Sequence, residues 1–358
     1  MRLLERTPLG ERTAQAEGKP SSTDWNLLVA QKVSAVSGDN AADLLEILDM
    51  PDAKALVLRD LCGLTGVDPA NVVQELAEEG DRWATLVLKS TQGVRFSIGE
   101  VLAKVAQTEE RRKPVKCQVD VIDDRGDLTT YEVTRTGMGP LKYKDGNLML
   151  YKMNVNDQWE EYNTIWCGDV DPKTGMPLLD DMEELIVRTD SGCYTGQVLH
   201  DETCDCRQQL HDTLDVITKK GKGLVVQIPT QDGRGMGGEF KLATMDLQDA
   251  LNTNNCDAAG LLSFRGQIDR RTYSGVVAVL QALGIRTGIR INLATNNPGK
   301  IDIFDANGYE VANTPVITEN AGQIAHHLEA KGLVLGHRYE QFRAFATAVP
   351  AQVNGTLQ

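Results

Sequence analysis

An α/β class, with an α+β mixed-sheet core flanked by helices and preceded by a small all-α domain, is what this 358-residue sequence predicts. Three observations carry the prediction. Between Asp39 and Lys113 apolar residues recur at helical spacing. From Lys116 the spacing turns to alternation, and beyond Cys206 helical and apolar-strand segments take turns. The length favours two domains, because one hydrophobic core seldom grows past ~250 to 300 residues.

The elements follow in order. Residues 1–22 are polar and aperiodic, and are expected to form a mobile leader. Residues 23–113 make the helical domain, with helices expected at Ala41–Leu48, Ala53–Leu61, Pro69–Glu79 with Asp68 as cap, and Ile98–Thr108. The run Glu109-Glu-Arg-Arg-Lys-Pro114 closes it, since proline cannot continue a helix. Its role is open between a partner surface and a stabilising appendage. The second domain, 114–345, opens with a hairpin: Lys116–Asp123, the turn Asp123-Asp-Arg-Gly-Asp, and a return over Thr129–Thr134. Strands are expected at Leu148–Met153, Glu161–Cys167 and Glu184–Arg188, then a helix at Gln208–Thr218. The apolar run Gly223-Leu-Val-Val-Gln-Ile-Pro229 has the look of a buried strand. Leu242–Leu251, Thr272–Leu283, Arg290–Ala294 and Lys300–Asn307 continue the alternation, and 346–358 form a tail.

A formal charge of −14 and a pI near 4.9 exclude a general nucleic-acid binder, which neutralises phosphates with clustered Lys and Arg. There is no apolar run of membrane-spanning length and no apolar signal core after Met1, so a cytoplasmic protein without membrane partners is expected. An odd number of cysteines including a C-x-C pair fits reduced thiols or metal thiolates better than disulfides.

Chemistry concentrates in a few segments. Cys193, Cys204 and Cys206 form a C-x10-C-x-C pattern with no fourth cysteine in the next forty residues. Three protein ligands plus water is the catalytic arrangement of zinc, whereas a fourth ligand from a distant His or Asp would make the site structural; spacing alone leaves both open. Cys62, Cys117, Cys167 and Cys256 stand singly, as small buried thiols do. Gly233-x-Gly235-x-x-Gly238 follows a strand and formally matches a dinucleotide fingerprint. No strand precedes Asp249, however, and Arg234 within the loop suits a phosphate clamp, so a nucleotide phosphate or base is the better ligand for this loop and a plain glycine-rich turn the alternative. Asp269 and Arg271, two apart before a helix, can act as a pair on a bound anion. Thr295-Asn-Asn-Pro-Gly-Lys300 leaves the carboxyl end of a strand, where α/β sheets bind ligands.

Together, Arg188-x-x-Ser191-x-Cys193-x-Thr195-Gly196, Cys204-Asp-Cys206-x-x-Gln209-Leu210, Gln231-Asp-Gly-Arg234-Gly-Met-Gly237, Asp269-x-Arg271 and Ala294-Thr-Asn-Asn-Pro-Gly-Lys300 resemble the GTP cyclohydrolase II family, in the family's order, over about residues 160–340. The resemblance implies zinc on Cys193, Cys204 and Cys206, a proton acceptor at Asp269 and a nucleophilic arginine at Arg271 that attacks the α-phosphate as pyrophosphate leaves. It places nucleotide contacts on Arg188, Ser191, Gln209, Asp232, Arg234, Thr295 and Lys300. It further implies attack by zinc-bound water on C8 of GTP, formate release by a second hydrolysis, Mg²⁺ accompanying the triphosphate, and a homodimer.

Departures from the family pattern narrow these expectations. The family's His-Ser-Glu is Asp190-Ser191-Gly192, and its Thr-Gly-Asp is Thr195-Gly196-Gln197. The glutamate thought to accept from the guanine edge is Asp232, one methylene shorter, which puts the choice of base in question. The family's catalytic tyrosine falls on Met245, whose thioether cannot relay a proton, so the reaction can stop at the formamidopyrimidine. Two rivals stay open: ring opening of another nucleotide, such as a pyrimidine nucleotide, and a nucleotide-binding module without turnover.

Overall fold

The computed structural model describes residues 22–46, 53–93, 96–144, 146–156, 161–179, 182–263, 268–297 and 299–314. The leader expected at 1–22 lies outside them but for its last residue, and the tail at 346–358 wholly so. The chain divides into two compact units, 1–110 and 111–358.

The first unit is helical: α1 (Ser22–Ser37), α2 (Ala41–Glu46), α3 (Lys54–Thr65), α4 (Pro69–Glu78), α5 (Arg82–Thr91) and α6 (Ile98–Arg112), the last running two residues past the division. Helices α4 and α5 start where sequence chemistry demands. The Asp68 carboxylate accepts from Ala70 N with Pro69 in the first turn, and Asp81 accepts from Ala84 N. Helix α3 lacks a local cap; instead Glu109 of α6, buried, accepts from Leu56 N at 2.9 Å, so a tertiary contact satisfies an orphan donor. Helices α1 and α5 were not anticipated, although Trp25, Val29 and Val33 of α1 are buried at four-residue spacing.

The second unit is built on one eight-stranded sheet in the order β1-β2-β3-β4-β6-β5-β7-β8. Strands β1 (Val115–Ile122), β2 (Leu128–Tyr143), β3 (Gly146–Val155) and β4 (Glu161–Cys167) form an antiparallel meander. Strand β6 (Gly223–Gln227) pairs antiparallel to β4 and parallel to β5 (Glu184–Asp190), and β7 (Arg290–Ala294) and β8 (Val311–Thr314) continue the parallel half. The expected return strand at Thr129–Thr134 is in fact sixteen residues long. Gly137, Gly139 and Pro140 hid its second half. A bulge falls between Arg135 and Gly137, and β1 pairs only as far as Arg135, so Pro140 sits where one edge of β2 needs no donor.

Helix α8 (Cys206–Lys220) covers one face through Leu214 and Ile217 against Ile165, Ile186 and Val225. On the other face α12 (Ser274–Ala282) packs Val276, Val277, Val279 and Leu280 into a core with Tyr151, Tyr162 and Trp166. Both faces of the parallel half are thus covered, which is why the first four residues of β6 are apolar and buried, with only Gln227 at its end polar. The remaining helices are α7 (Tyr194–Gln197), α9 (Asp232–Gly235), α10 (Gly238–Leu251), α11 (Asn255–Leu262) and α13 (Gly299–Ala306). Because β5, β6 and β7 run parallel, the segments leaving Asp190, Gln227 and Ala294 emerge at the same edge of the sheet.

Candidate active site

The segment leaving β5 carries Cys193 into α7; Cys204 precedes α8 and Cys206 begins it. The three sulfurs lie within 4.8 Å of one another, with Cys193 and Cys204 Sγ atoms 3.7 Å apart. Zinc–sulfur bonds of about 2.3 Å at tetrahedral angles put sulfurs about 3.8 Å apart, so the cluster already has the dimensions of a zinc thiolate site. Gly196 makes the approach possible: a Cβ there would stand 2.4 Å from Cys204 Sγ and 3.1 Å from Cys193 Sγ. Among the described residues this is the one His/Cys/Asp/Glu cluster with metal-site geometry. The Cys193 thiol is held far below its usual range because it accepts from Cys204 and Cys206 and, against burial, from Lys241; the same bond to Cys193 pushes Cys204 up to about 11.

A cavity of about 180 Å³ opens beside the cluster, and every site residue expected from the sequence lines it except Asp269. Asp269 stands behind Arg271, bonded to its Nε (3.0 Å), its Nη2 and its backbone N (3.0 Å), while Arg271 Nη1 lies 3.3 Å from Ser191 Oγ. Burial works against the Asp269 charge, but the Arg271 bonds outweigh it and keep the carboxyl below the usual carboxylate range.

Arg188 and Lys300 add positive charge. The Arg188 guanidinium forks onto Asp190 Oδ2 (3.2 and 3.0 Å) and donates to Gln209 Oε1 at 3.0 Å. Asp190 Oδ1 in turn accepts from Gly192 N and Gln197 Nε2, the latter at 2.8 Å. Lys300 is 7% exposed and its Nζ donates to Thr189 O at 2.7 Å. Burial, then the charges of Arg271 and Arg188, push Lys300 down to about 7. Thr295, at the end of β7, is buried at the same edge.

The glycine-rich loop does not form a dinucleotide turn. Gly233 and Arg234 both take the left-handed conformation (φ 61° and 60°) within α9. Gly235 passes so close to the Arg270–Arg271 backbone that a Cβ would stand 2.9 Å from it. Arg234 donates to Asn255 Oδ1 (2.7 Å), Cys256 Sγ (3.1 Å) and Ile268 O (3.4 Å), tying the loop to the start of α11 and to the segment before Asp269. Asp232 accepts from Tyr194 N, Gly233 N and Lys241 Nζ. Met245 on α10 lines the cavity as well.

The sequence reading missed Lys241 and the bonding of Asp190 to Gln197. Lys241 stands one helical turn beyond Gly237, and a cation so placed after a ligand loop is the one signal that pointed to it.

Compared with known families, residues 134–315 match the model of GTP cyclohydrolase II. The chain belongs to this family. Among GTP cyclohydrolase II relatives, the probable bifunctional riboflavin biosynthesis protein RIBA 1 of Oryza sativa is 28% identical over 281 residues, 78% of this chain and 47% of that protein. Riboflavin biosynthesis protein RibBA of Aquifex aeolicus is 35% identical over 158 residues, covering 44% of this chain and 37% of the relative. The GTP cyclohydrolase-2 of Archaeoglobus fulgidus is 33% identical over 157 residues, covering 44% and 40% respectively. The chain therefore spans less than half the length of each of these three relatives. The GTP cyclohydrolase II match begins within β2, so the helical unit lies outside it.

Proposed function

We propose that this chain is a zinc-dependent nucleotide cyclohydrolase that opens the imidazole ring of GTP with loss of pyrophosphate, in the setting of riboflavin biosynthesis for which its relatives are named. The observation that carries the reading is one cavity walled by a metal-sized thiol cluster and by Arg188, Arg271 and Lys300. A metal site beside three cations suits a substrate with a hydrolysable ring and a polyphosphate tail. Cys193, Cys204 and Cys206 would hold the zinc, and a bound zinc ion supplies Lewis acidity and a water whose pKa falls to about 7.

The chain's own residues do the rest. Lys300, Arg271 and Arg188 bind the phosphates, with Thr295, Ser191, Gln209 and Arg234 on the same cavity walls. Asp269 engages Nε and Nη2 of Arg271 and so orients Nη1 for the α-phosphate, with the carboxylate as proton acceptor. Mg²⁺ enters only as the companion of the triphosphate. We also propose a homodimer, as the family expectation has it, and a cytoplasmic setting; no described helix is long and apolar enough to cross a membrane. Asp232 favours a second reading, in which another nucleotide, such as a pyrimidine nucleotide, is opened. Its Oδ1 already accepts from Gly233 N and Lys241 Nζ and its Oδ2 from Tyr194 N, which leaves too few acceptor sites to take both edge donors of guanine.

Absorbance spectra of GTP, UTP and other nucleotides incubated with the zinc-loaded protein separate these readings. GTP is expected to be consumed, with Cys204→Ser removing both metal and turnover, and Arg271→Ala and Asp269→Ala abolishing turnover with zinc retained. No spectral change with any nucleotide would point to a binding module. Met245 sets the product: with a thioether in place of a proton donor, the formamide should accumulate, and Met245→Tyr should raise formate release. Stoichiometric formate from the unaltered protein would refute that assignment.

A further inference from the structure

Lys241 lies between the two parts of the site that the family resemblance treats separately. Its Nζ is 2.9 Å from Cys193 Sγ and 3.1 Å from Asp232 Oδ1, and its side chain is 15% exposed. Asp232 is equally enclosed at 13%. Its Oδ1 also accepts from Gly233 N at 2.8 Å, and its Oδ2 accepts from the backbone N of Tyr194, the residue next to Cys193, at 3.1 Å. Both carboxylate oxygens therefore point toward the thiol cluster and its ammonium neighbour. The backbone enforces this placement. The left-handed Gly233 turns the loop so that Lys241 on α10 comes over it, and a Cβ at Gly233 would stand 3.2 Å from Lys241 Cβ.

We propose that Lys241 is a positioning residue for the metal site, held on Cys193 by Asp232, so that Asp232 acts on the metal ligands through Lys241 and does not read the base. This inference rests on the zinc reading above. Three thiolates around a divalent ion leave one net negative charge in a half-buried wall, and the Lys241 ammonium offsets it. An N–H donor on a thiolate also draws charge from sulfur, which lowers its donation and leaves the metal a stronger Lewis acid. The shorter side chain at 232 has a use in this arrangement: it reaches Lys241 and Tyr194 N on the cluster side of the cavity.

The test uses the full-length protein loaded with Co²⁺ or Zn²⁺. In Lys241→Met, the sulfur-to-cobalt charge-transfer band is expected to move to longer wavelength, and zinc affinity, measured by competition with a chelator, to fall roughly 10- to 100-fold. Lys241→Arg, which keeps charge and donors, should recover most of both. Asp232→Asn should shift band and affinity in the same direction but less, add nothing further in a Lys241→Met background, and leave the ratio of rates for GTP against other nucleotides unchanged. A Lys241→Met protein with the wild-type band and affinity overturns the inference while leaving the zinc reading intact. A changed nucleotide ratio in Asp232→Asn with an unmoved band also overturns it, returning Asp232 to the base. Absence of stoichiometric metal in the wild type, or binding undiminished by Cys204→Ser, overturns the zinc reading and the inference with it.

Discussion

Lys300 joins charge to acidity at a single residue. Around its ammonium stand Arg271 and Arg188, which disfavour the charge, Asp190 and Asp269, which favour it, the ring of Tyr273 at 5.3 Å, and the Thr189 carbonyl that accepts from it. Its pKa of about 7 is below the 10.5 of the free side chain, so between those values the unfolded chain carries more proton than the folded one. The ligand-free protein should therefore gain stability as pH rises through that window, because keeping Lys300 neutral in the fold costs less as the unfolded chain's own ammonium deprotonates. A bound polyanion reverses the balance: it favours the ammonium, binding takes up a proton, and affinity falls as pH rises above 7. Titration of sulfate, an anion whose protonation does not change between pH 7.5 and 9, into the zinc-loaded protein over that range should show affinity dropping by up to about tenfold per pH unit. Lys300→Met should give a weaker and flatter profile; an equally steep profile in that variant would assign the proton elsewhere.

At the scale of elements, the site depends on how closely α7 and α8 approach. Cys193 precedes the first and Cys206 opens the second, and Gly196 within α7 packs against the sulfurs of Cys193 and Cys204 and the Cβ of Cys206. Gly196→Ala would place a methyl 2.4 Å from Cys204 Sγ, and the sulfurs must part to admit it. The expected outcome is a folded protein, by circular dichroism, with zinc affinity lowered on the order of 10- to 100-fold by chelator competition. Unchanged affinity would mean that the thiols close around the metal in another geometry. The same scale explains where sequence reading of elements stopped. Helix α4 announced itself through Asp68 and Pro69, whereas α3 takes its cap from Glu109, fifty-three residues from the donor it satisfies. Strand β2 runs well past the expected Thr129–Thr134 because Gly137, Gly139 and Pro140 read as breakers until β3 is seen pairing along all three, with Pro140 beyond the reach of β1.

Across the whole molecule, chemistry is confined to one unit. The three thiols of the cluster, the cations that line the cavity and the Asp269–Arg271 pair lie between residues 188 and 300, whereas the helical unit ends at 110. It has its own core of Trp25, Val29, Leu58, Leu61 and Leu76, and the edge-on Trp25–Trp83 pair at 5.4 Å. Removal of residues 1–110 is therefore expected to leave zinc stoichiometry at one per chain and pyrophosphate affinity within about threefold, measured by metal analysis and calorimetry. Loss of metal from the truncated chain would mean that the helical unit supports the site.

By itself the sequence determined whatever chemistry is local along the chain. The C-x10-C-x-C spacing named the thiols, the apolar run at Gly223–Ile228 named a buried strand, and motif order carried the family. These signals survive in one dimension because ligand spacing and periodicity are properties of neighbours. Tertiary structure alone decided what each side chain is bonded to. Arg188 could be read as a phosphate contact but not as half of a buried pair with Asp190 that Gln197 completes; Arg234 could be read as a clamp but not as the tie to Asn255 and Cys256. Lys241 and Cys193 are forty-eight residues apart in the chain and 2.9 Å apart in the fold. Side-chain hydrogen bonds act over about 3 Å, so their partners are fixed only when the parallel strands bring their carboxyl ends to one edge.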